Sequence, residues 1–517
     1  MIVLLYASLY LIGLKGVIGS PYSDPQCADG RTTIVHLFEW KWTDIRAECE
    51  RFLGPNGFCG VQVSPPNENA VVTRDTLIYT WAHRPWWERY QPVSYRLQTR
   101  SGNERDFRDM VIACNKVGVR IYVDAIINHM TARFAGVGTA GSAFDATNLS
   151  FPAVPYTRDD FNGKQTCKRD GFLHDYEDLS QRRNCEIGLV DLNQAHEHVR
   201  DMIVGYMNNL IDIGVAGFRI DAASHIWPGD LAVMFARLHH LKRDVFGEGK
   251  RPFIVQEVIE YGNSTSLMRE YLGTGRVTRF NYSVALAEAF FRKTAPLQSL
   301  RDIGSTFPPS GDALVFVSNH DTQRWHGNGG APITFFEPKE LKMATIFMLA
   351  YSYGVPRIMS SFLFNRSISS WETENYAQGP PHGDDMSISD VIIKTDMTCG
   401  NGWVCEHRLP EMFKMVRFAN VVAGTPVQNW QTFGDFQIAF SRGSKGFVAM
   451  AADDGHFNRR IRTGLPAGRY CDVISGDYVS GTCDGKIIDV DVTGSAHITF
   501  NGNSEVPVTA IHAGAML

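Results

Sequence analysis

The sequence predicts an α/β protein: a (β/α)8 TIM barrel with an excursion domain after strand 3 and a C-terminal antiparallel β domain. Three observations carry that prediction. Eight short apolar runs alternate with helix-period segments between Thr32 and about Ser361. Four of these runs end in a carboxylate: Val119-Arg-Ile-Tyr-Val-Asp124, Gly217-Phe-Arg-Ile-Asp221, Phe253-Ile-Val-Gln-Glu257 and Phe316-Val-Ser-Asn-His-Asp321. After about Thr425 the texture changes to alternating strands and turns.

The eight candidate strands are 33–38, 60–63, 120–124, 217–221, 253–257, 277–280, 314–318 and 356–360. Segments 104–117 and 198–213 have helical periodicity and suit crossovers between parallel strands. Residues 129–191 break the rhythm: they are long, rich in Gly, Ser, Asn and Pro, and carry Cys167 and Cys185. A structureless loop of that length is uncommon in a compact domain, so the interval reads as a small domain of its own. The expected division is 1–20 signal peptide, 21–127 and 193–425 barrel, 128–192 excursion and 426–517 C-terminal β domain.

A chain of 517 residues, 44 % hydrophobic and 20 % charged, is that of an ordinary globular protein with more than one domain. The net charge of −5 is spread without acidic or basic blocks, which argues against nucleic acid and anionic membrane as partners. The apolar stretch from Ile2 to Leu14 is shorter than the ~20 residues a membrane span needs and reads as a cleaved secretory signal, with an uncleaved anchor as the alternative. Secretion also suits the 10 cysteines, which contain no CxxC pair and favour disulfides over zinc. Near neighbours Cys167/Cys185, Cys399/Cys405 and Cys471/Cys483 suggest local bridges, leaving Cys27, Cys49, Cys59 and Cys114. Sequons stand at Asn148, Asn263, Asn281 and Asn365.

An acid ending an apolar strand is poor for stability unless partners or a reaction need it there. In a parallel barrel such ends share one rim, where active sites form. Carboxylates on that rim, with neither a Cys/His metal cluster nor a Gly-rich phosphate loop, suit glycoside hydrolysis, in which one acid attacks and another moves the proton. Arg219 lies on the same strand face as Asp221 and is expected to hold it ionised. Glu257 lies in the more apolar Ile-Val-Gln-Glu-Val-Ile run, an environment that favours the protonated acid.

At these residues the chain resembles the α-amylase family, and more closely its animal, chloride-dependent branch. The similar segments are Asp124-Ala-Ile-Ile-Asn-His129, Gly217-Phe-Arg-Ile-Asp221, Gln256-Glu257-Val258 and Asn319-His-Asp321. Four more lie outside them: His36-Leu-Phe-Glu-Trp40, Gln62-Val-Ser-Pro-Pro-Asn-Glu-Asn69, Arg84-Pro-Trp-Trp-Glu-Arg-Tyr-Gln-Pro92 and Gly402-Trp-Val-Cys-Glu-His-Arg408. The resemblance implies a secreted, extracellular, monomeric, endo-acting hydrolase of α-1,4-glucans. It implies Asp221 as nucleophile, Glu257 as acid/base and Asp321 as the acid gripping the substrate. Trp86, Trp87, Tyr90, His129, Tyr176, His225, His320 and His326 would contact sugar. Calcium would take side-chain oxygens of Asn128 and Asp191 and backbone oxygens of Arg183 and His225, and chloride would lie between Arg219, Asn319 and Arg357.

The resemblance also implies Cys49–Cys114, Cys167–Cys185, Cys399–Cys405 and Cys471–Cys483. Cys27 and Cys59 remain; they precede the first strand and open the second, so a bridge at the barrel base is sterically reasonable. Gln98 and Thr131 stand where a further family pair would be. Other departures are Ser224 for a substrate-reaching lysine on the leaving-group side, Ser318 for an aspartate, Trp325 for a glycine, and a longer loop at 73–83 bearing Tyr79 and Trp81. They leave a maltase or transglycosylase of the same family as an alternative, with a non-catalytic glucan-binding protein as the reading from another class.

Overall fold

The computed structural model describes residues 19–517 apart from 77, 168–169, 261–265, 306, 326–331 and 369. The expected signal segment, the sequon at Asn263 and His326 lie wholly or mostly outside the described residues.

Eight parallel strands close a barrel: β1 Ile34–Leu37, β2 Gly60–Val63, β3 Arg120–Ala125, β4 Gly217–Ile220, β5 Phe253–Gln256, β6 Arg276–Thr278, β7 Ala313–Val315 and β8 Val355–Ser360. Each pairs with its sequence neighbours, and β8 returns to β1 through the register Ile34 to Arg357 and Leu37 to Ser360. Side chains on both faces of these strands are covered, one by the barrel interior and the other by the outer layer. That is why the runs are apolar without alternation. The lower interior is filled by Ile34, Tyr122, Phe253, Val255, Phe280, Leu314 and Phe316.

The outer helices start and stop where their sequence dictates. Helix Glu104–Lys116 opens with a capping box, Asn103 Oδ1 accepting from Asp106 N (3.1 Å) and Asp106 Oδ2 from Asn103 N (3.2 Å). Helix Glu197–Ile213 ends at Gly214, whose φ of 121° is costly for a residue with a Cβ. Helix Pro338–Ala350 is buried along Leu341 to Ala350 because it lies between the barrel and the last domain, where Arg442 Nη1 donates to Ala350 O (2.6 Å).

Between β3 and β4, a hairpin of Ala135–Val137 and Ala143–Asp145 carries Phe144 into a small aromatic core with Phe134, Phe151, Tyr156 and Phe161, and a short helix, Leu179–Asn184, lies against His225 and Ile259 at the rim. After helix Pro410–Val421, two four-stranded antiparallel sheets stack. Strands Gln437–Arg442 and Gly446–Ala451 are buried on both faces, one toward the barrel and the other toward the second sheet, whereas Ser495–Asn501 alternates buried and exposed. Five disulfides join Cys27–Cys59, Cys49–Cys114, Cys167–Cys185, Cys399–Cys405 and Cys471–Cys483.

The strand ends differ from the sequence expectation at one functional position. The run expected at 314–318 leaves the ladder after Val315. Asn319 draws the chain into a turn instead, its Oδ1 accepting from Thr322 N (2.8 Å) while Thr322 Oγ1 accepts from Asn319 N (2.9 Å). Asp321 therefore stands immediately before the short helix Thr322–Arg324 rather than ending a strand.

Candidate active site

The rim chemistry is organised by Arg219. Its alternation partners Phe218 and Ile220 face outward into the helix layer, so the guanidinium points into the barrel mouth. There Nη1 donates to Asp124 Oδ1 (2.7 Å) and Asp221 Oδ1 (2.6 Å), and Nη2 sits 2.7 Å from Glu257 Oε1. Glu257 Oε2 also accepts from Ala222 N (2.8 Å), the residue after Asp221, which adopts a left-handed conformation with φ of 46°. Glu257 thus meets a cation and a backbone donor, not the purely apolar surroundings its neighbours in sequence suggest. Its side chain follows the strand alternation inward, away from those apolar neighbours.

Burial pushes the Asp221 carboxyl well above its ordinary range; Arg219 opposes this, while Glu257 and Asp124 reinforce it. Asp124 is raised for the same leading reason. One guanidinium shared by three buried acids cannot keep all of them charged, so the cluster favours retention of a proton.

Asp321 accepts from Asn319 Nδ2 (3.2 Å) and lies 3.3 Å from His320 Nε2. Burial lowers His320 well below the usual imidazole range and brings His129 and His225 down to about 4. All three are therefore neutral near pH 7 and interact with ligands as hydrogen-bonding groups rather than as cations. His129 Nε2 is 3.0 Å from Tyr90 O, and His225 Nδ1 is 2.9 Å from Arg182 O.

Asp221, Glu257 and Asp321 open into a cleft of about 310 Å³ whose walls include Trp86, Trp87, Tyr90, His129, Tyr176 and His225. Trp86 is largely buried, its Nε1 donating to Tyr376 O (2.8 Å), so it forms the wall more than a free stacking face. Tyr90 stacks on His320 with centroids 5.2 Å apart and donates to Asp124 Oδ2 (3.0 Å). Tyr176 is half exposed and meets His225 edge-on. The cleft also takes in Tyr376, Arg182, Leu189 and Ile259, which the sequence reading did not single out. They come from the excursion and from loops beyond β5 and β8, where no spacing rule marks a ligand contact.

Ser224 lines the same cleft with its backbone fixed, its N donating to Glu257 O (3.2 Å). Trp325 is exposed and holds a left-handed backbone with φ of 65°. That conformation costs a non-glycine residue about 1 kcal/mol and explains why glycine is the undemanding choice there.

Two further sets of buried groups have unmet electrostatic demands. Asn128 Oδ1 is buried without a hydrogen-bond partner, and Asp191, paired in a bridge with the neighbouring His129, accepts from Asn162 Nδ2 (2.8 Å). Burial pushes the Asp191 carboxyl well above its ordinary range, so an oxygen-seeking cation would satisfy both side chains. Helix Leu179–Asn184, which carries Arg183, is tied beside His225 through the Arg182 carbonyl. Arg357 is buried, donates to Gln62 Oε1 (2.5 Å), and has no carboxylate ion partner among the described residues. Burial, then repulsion from Arg219, brings it down to about 10, so an anion beside the two guanidinium groups is electrostatically welcome.

This arrangement can be set beside known proteins. Residues 89–359 match the description "Alpha amylase, catalytic domain" and 428–510 match "Alpha amylase, C-terminal all-beta domain". The chain is 52 % identical over 503 residues to an alpha-amylase of Pecten maximus, with 96 % of each chain covered. The chain belongs to the α-amylase family. It is a glycoside hydrolase, and its similarity to animal α-amylases extends through all three parts of the fold. Pancreatic alpha-amylase of Struthio camelus is 50 % identical, covering 96 % of this chain and 100 % of the other. Among solved structures, wild-type alpha-amylase I of Eisenia fetida superposes with a TM-score of 0.87 at 44 % identity, covering 94 % of this chain and 98 % of its own. A glutamate-to-glutamine variant of that enzyme is known in complex with maltohexaose, with the same similarity to this chain. Among the described residues, no helix is long and apolar enough to cross a membrane.

Proposed function

We propose that this α-amylase relative is a secreted, extracellular enzyme that cleaves internal α-1,4-glucosidic bonds of starch, glycogen and related glucans with retention of configuration. The observation that carries the reading is the placement of Asp221 and Glu257 on the two terminal nitrogens of Arg219, at the floor of an open aromatic cleft. A retaining hydrolase needs two acids about 5–5.5 Å apart. Asp221 attacks the anomeric carbon as the glycosidic bond breaks, and Glu257 passes its proton to the departing oxygen. Glu257 then takes a proton from water, whose oxygen displaces Asp221 and frees the sugar. Asp321 and the neutral His129 and His320 hold hydroxyls of the sugar at the scissile bond, and Trp87, Tyr90, Tyr176 and His225 line its path. The domain division 21–127 with 193–425, 128–192 and 426–517 accompanies this reading.

Calcium is the cation that Asn128 and Asp191 would hold, with backbone oxygens of Arg183 and His225; its part is to tie the excursion to the barrel. Chloride is the anion that Arg219, Asn319 and Arg357 would hold. When bound, it supplies a negative charge that offsets the guanidinium groups beside Glu257 and so favours the protonated acid.

The test is Glu257→Gln. It preserves shape and the contact with Ala222, and it is expected to lower turnover of soluble starch roughly 10²–10⁴-fold with maltohexaose binding retained. Near wild-type hydrolysis by this variant would overturn the assignment.

A further inference from the structure

Beyond the catalytic cleft a second groove of about 400 Å³ opens, and Trp87, Tyr90, Leu189 and Tyr376 belong to both. The new part of its wall is Tyr79, Gln91 and Trp371. Tyr79 comes from the long loop after β2 and Trp371 from the loop after β8, two segments brought together because β8, β1 and β2 are consecutive around the barrel. The two loops brace each other. Trp81 meets Trp371 edge-on at 6.0 Å and Trp87 at 5.9 Å, Tyr79 packs on Trp87 at 4.6 Å, and Arg74 pairs with Glu374.

No charged side chain lines this groove among the described residues, so an ionic ligand finds no partner in it. What it offers is aromatic surface with a few neutral polar groups: Gln91, whose Nε2 lies 3.4 Å from Tyr79 OH, and the tyrosine hydroxyls. That combination suits a sugar ring, which presents an apolar face bordered by hydroxyls. Trp371 is 59 % exposed, a wasteful position for so large an apolar side chain unless something covers it.

We infer that Tyr79 and Trp371 extend the catalytic cleft beyond Trp87 as an additional sugar-binding platform, occupied by the distal units of an α-1,4-glucan chain. The inference rests on the hydrolase reading above. The groove shares Trp87, Tyr90, Ile187, Leu189 and Tyr376 with the catalytic cleft but none of the three acids, and therefore holds sugar units away from the scissile bond. Short substrates that end at Trp87 do not reach it. The platform makes chain length, not bond type, the quantity it controls, and its bracing by Trp81 means that little is spent on ordering the loops when glucan arrives.

The test compares Trp371→Ala with wild type on maltoheptaose and maltotriose. Because Trp371 is exposed, the fold should tolerate the change, and Trp371→Phe supplies the conservative control. The expected result is a fall of roughly tenfold in kcat/KM on maltoheptaose, no change on maltotriose, and recovery in Trp371→Phe. In parallel, maltoheptaose affinity is measured by calorimetry for Glu257→Gln with and without Trp371→Ala, and the double variant should bind roughly tenfold more weakly. Equal responses of the two substrates, or unchanged affinity in the double variant, would overturn the platform. If wild type cleaved neither glucan, the hydrolase reading would fall, and the binding comparison would still judge the platform by itself.

Discussion

The buried cluster of Glu48, His407 and Arg408 closes the barrel seam, and its contribution can be measured through one carboxylate. Glu48 ends the helix Trp42–Glu48 that follows β1, while His407 and Arg408 lie beyond β8, so the cluster fastens the first strand unit to the last. Glu48 Oε1 accepts from His407 Nε2 (3.0 Å) and Arg408 Nε (2.6 Å), Oε2 accepts from Arg408 Nη2 (2.8 Å), and His407 Nδ1 reaches Ser360 Oγ (3.1 Å) on β8. Burial would raise the Glu48 carboxyl, but the hydrogen bonds from His407 and Arg408 outweigh it and bring it from 4.5 to about 2. At about 1.4 kcal/mol per unit, the charge stabilises the folded state by about 3 kcal/mol at pH 7. The folded value is the lower one, so this stability is complete above about pH 4.5 and is lost as pH falls toward about 2.

Glu48→Gln keeps the volume and leaves Arg408 buried without its counter-charge, so it is expected to lower unfolding stability at pH 7 by about 3–5 kcal/mol. Urea unfolding followed by tryptophan fluorescence, wild type against variant from pH 7 to pH 3, reads the difference directly. The gap should shrink by about 2 kcal/mol by about pH 3, where the unfolded chain's carboxylate has taken up its proton and the folded one has largely not. A gap that stays constant over that range, or an indifferent variant at pH 7, would refute the account.

Two other outcomes follow from the unmet charges. Arg357→Gln removes one of the two guanidinium groups facing the barrel mouth and should abolish the saturable rise of starch hydrolysis with added chloride; an unchanged chloride titration would exclude Arg357 from the anion site. A calcium chelator should lower the thermal midpoint of wild type, because stability falls by RT ln(1 + [Ca]/Kd), about 3 kcal/mol at a hundredfold excess over Kd. Asp191→Asn should start from the lower midpoint and respond little, and a full chelator response in that variant would remove Asp191 from the ligand set.

Much of this fold is legible because a parallel barrel leaves a simple trace: each strand is buried on both faces and so appears as a short apolar run. All eight runs became strands, with ends shifted by a few residues. The rim acids were legible for the opposite reason, since a carboxylate at the end of such a run has no structural use. What the sequence did not yield depends on side-chain direction and on loops. The neighbours of Glu257 in sequence are apolar, but alternation turns its carboxylate toward Arg219. Asp321 was expected at a strand end, and the Asn319 turn carries it off the ladder instead. Tyr376 joins the cleft wall, and Trp371 the adjoining groove, from a loop after β8 whose composition alone gives no hint of the loop it will meet.

The position of Arg219 also constrains how the proposed reaction distributes charge. The proposed reaction requires the proton that the buried cluster retains to sit on Glu257, beside Nη2, and Asp221 to be the anion on Nη1, with Arg219 opposing the upward push of burial on the Asp221 carboxyl. When the covalent sugar ester forms, Asp221 loses its charge and Glu257, having given up its proton, acquires one. The sum over the two acids is unchanged, and the negative charge has moved from one arm of a single guanidinium to the other. A delocalised cation bonded to both sites serves the two states nearly equally, so no large reorganisation of buried charge has to accompany bond breaking. Asp124, held on Nη1 by a 2.7 Å contact, keeps the guanidinium in place while that shift occurs. This gives a buried acid with no proposed contact to substrate a physical reason to stand at the end of β3.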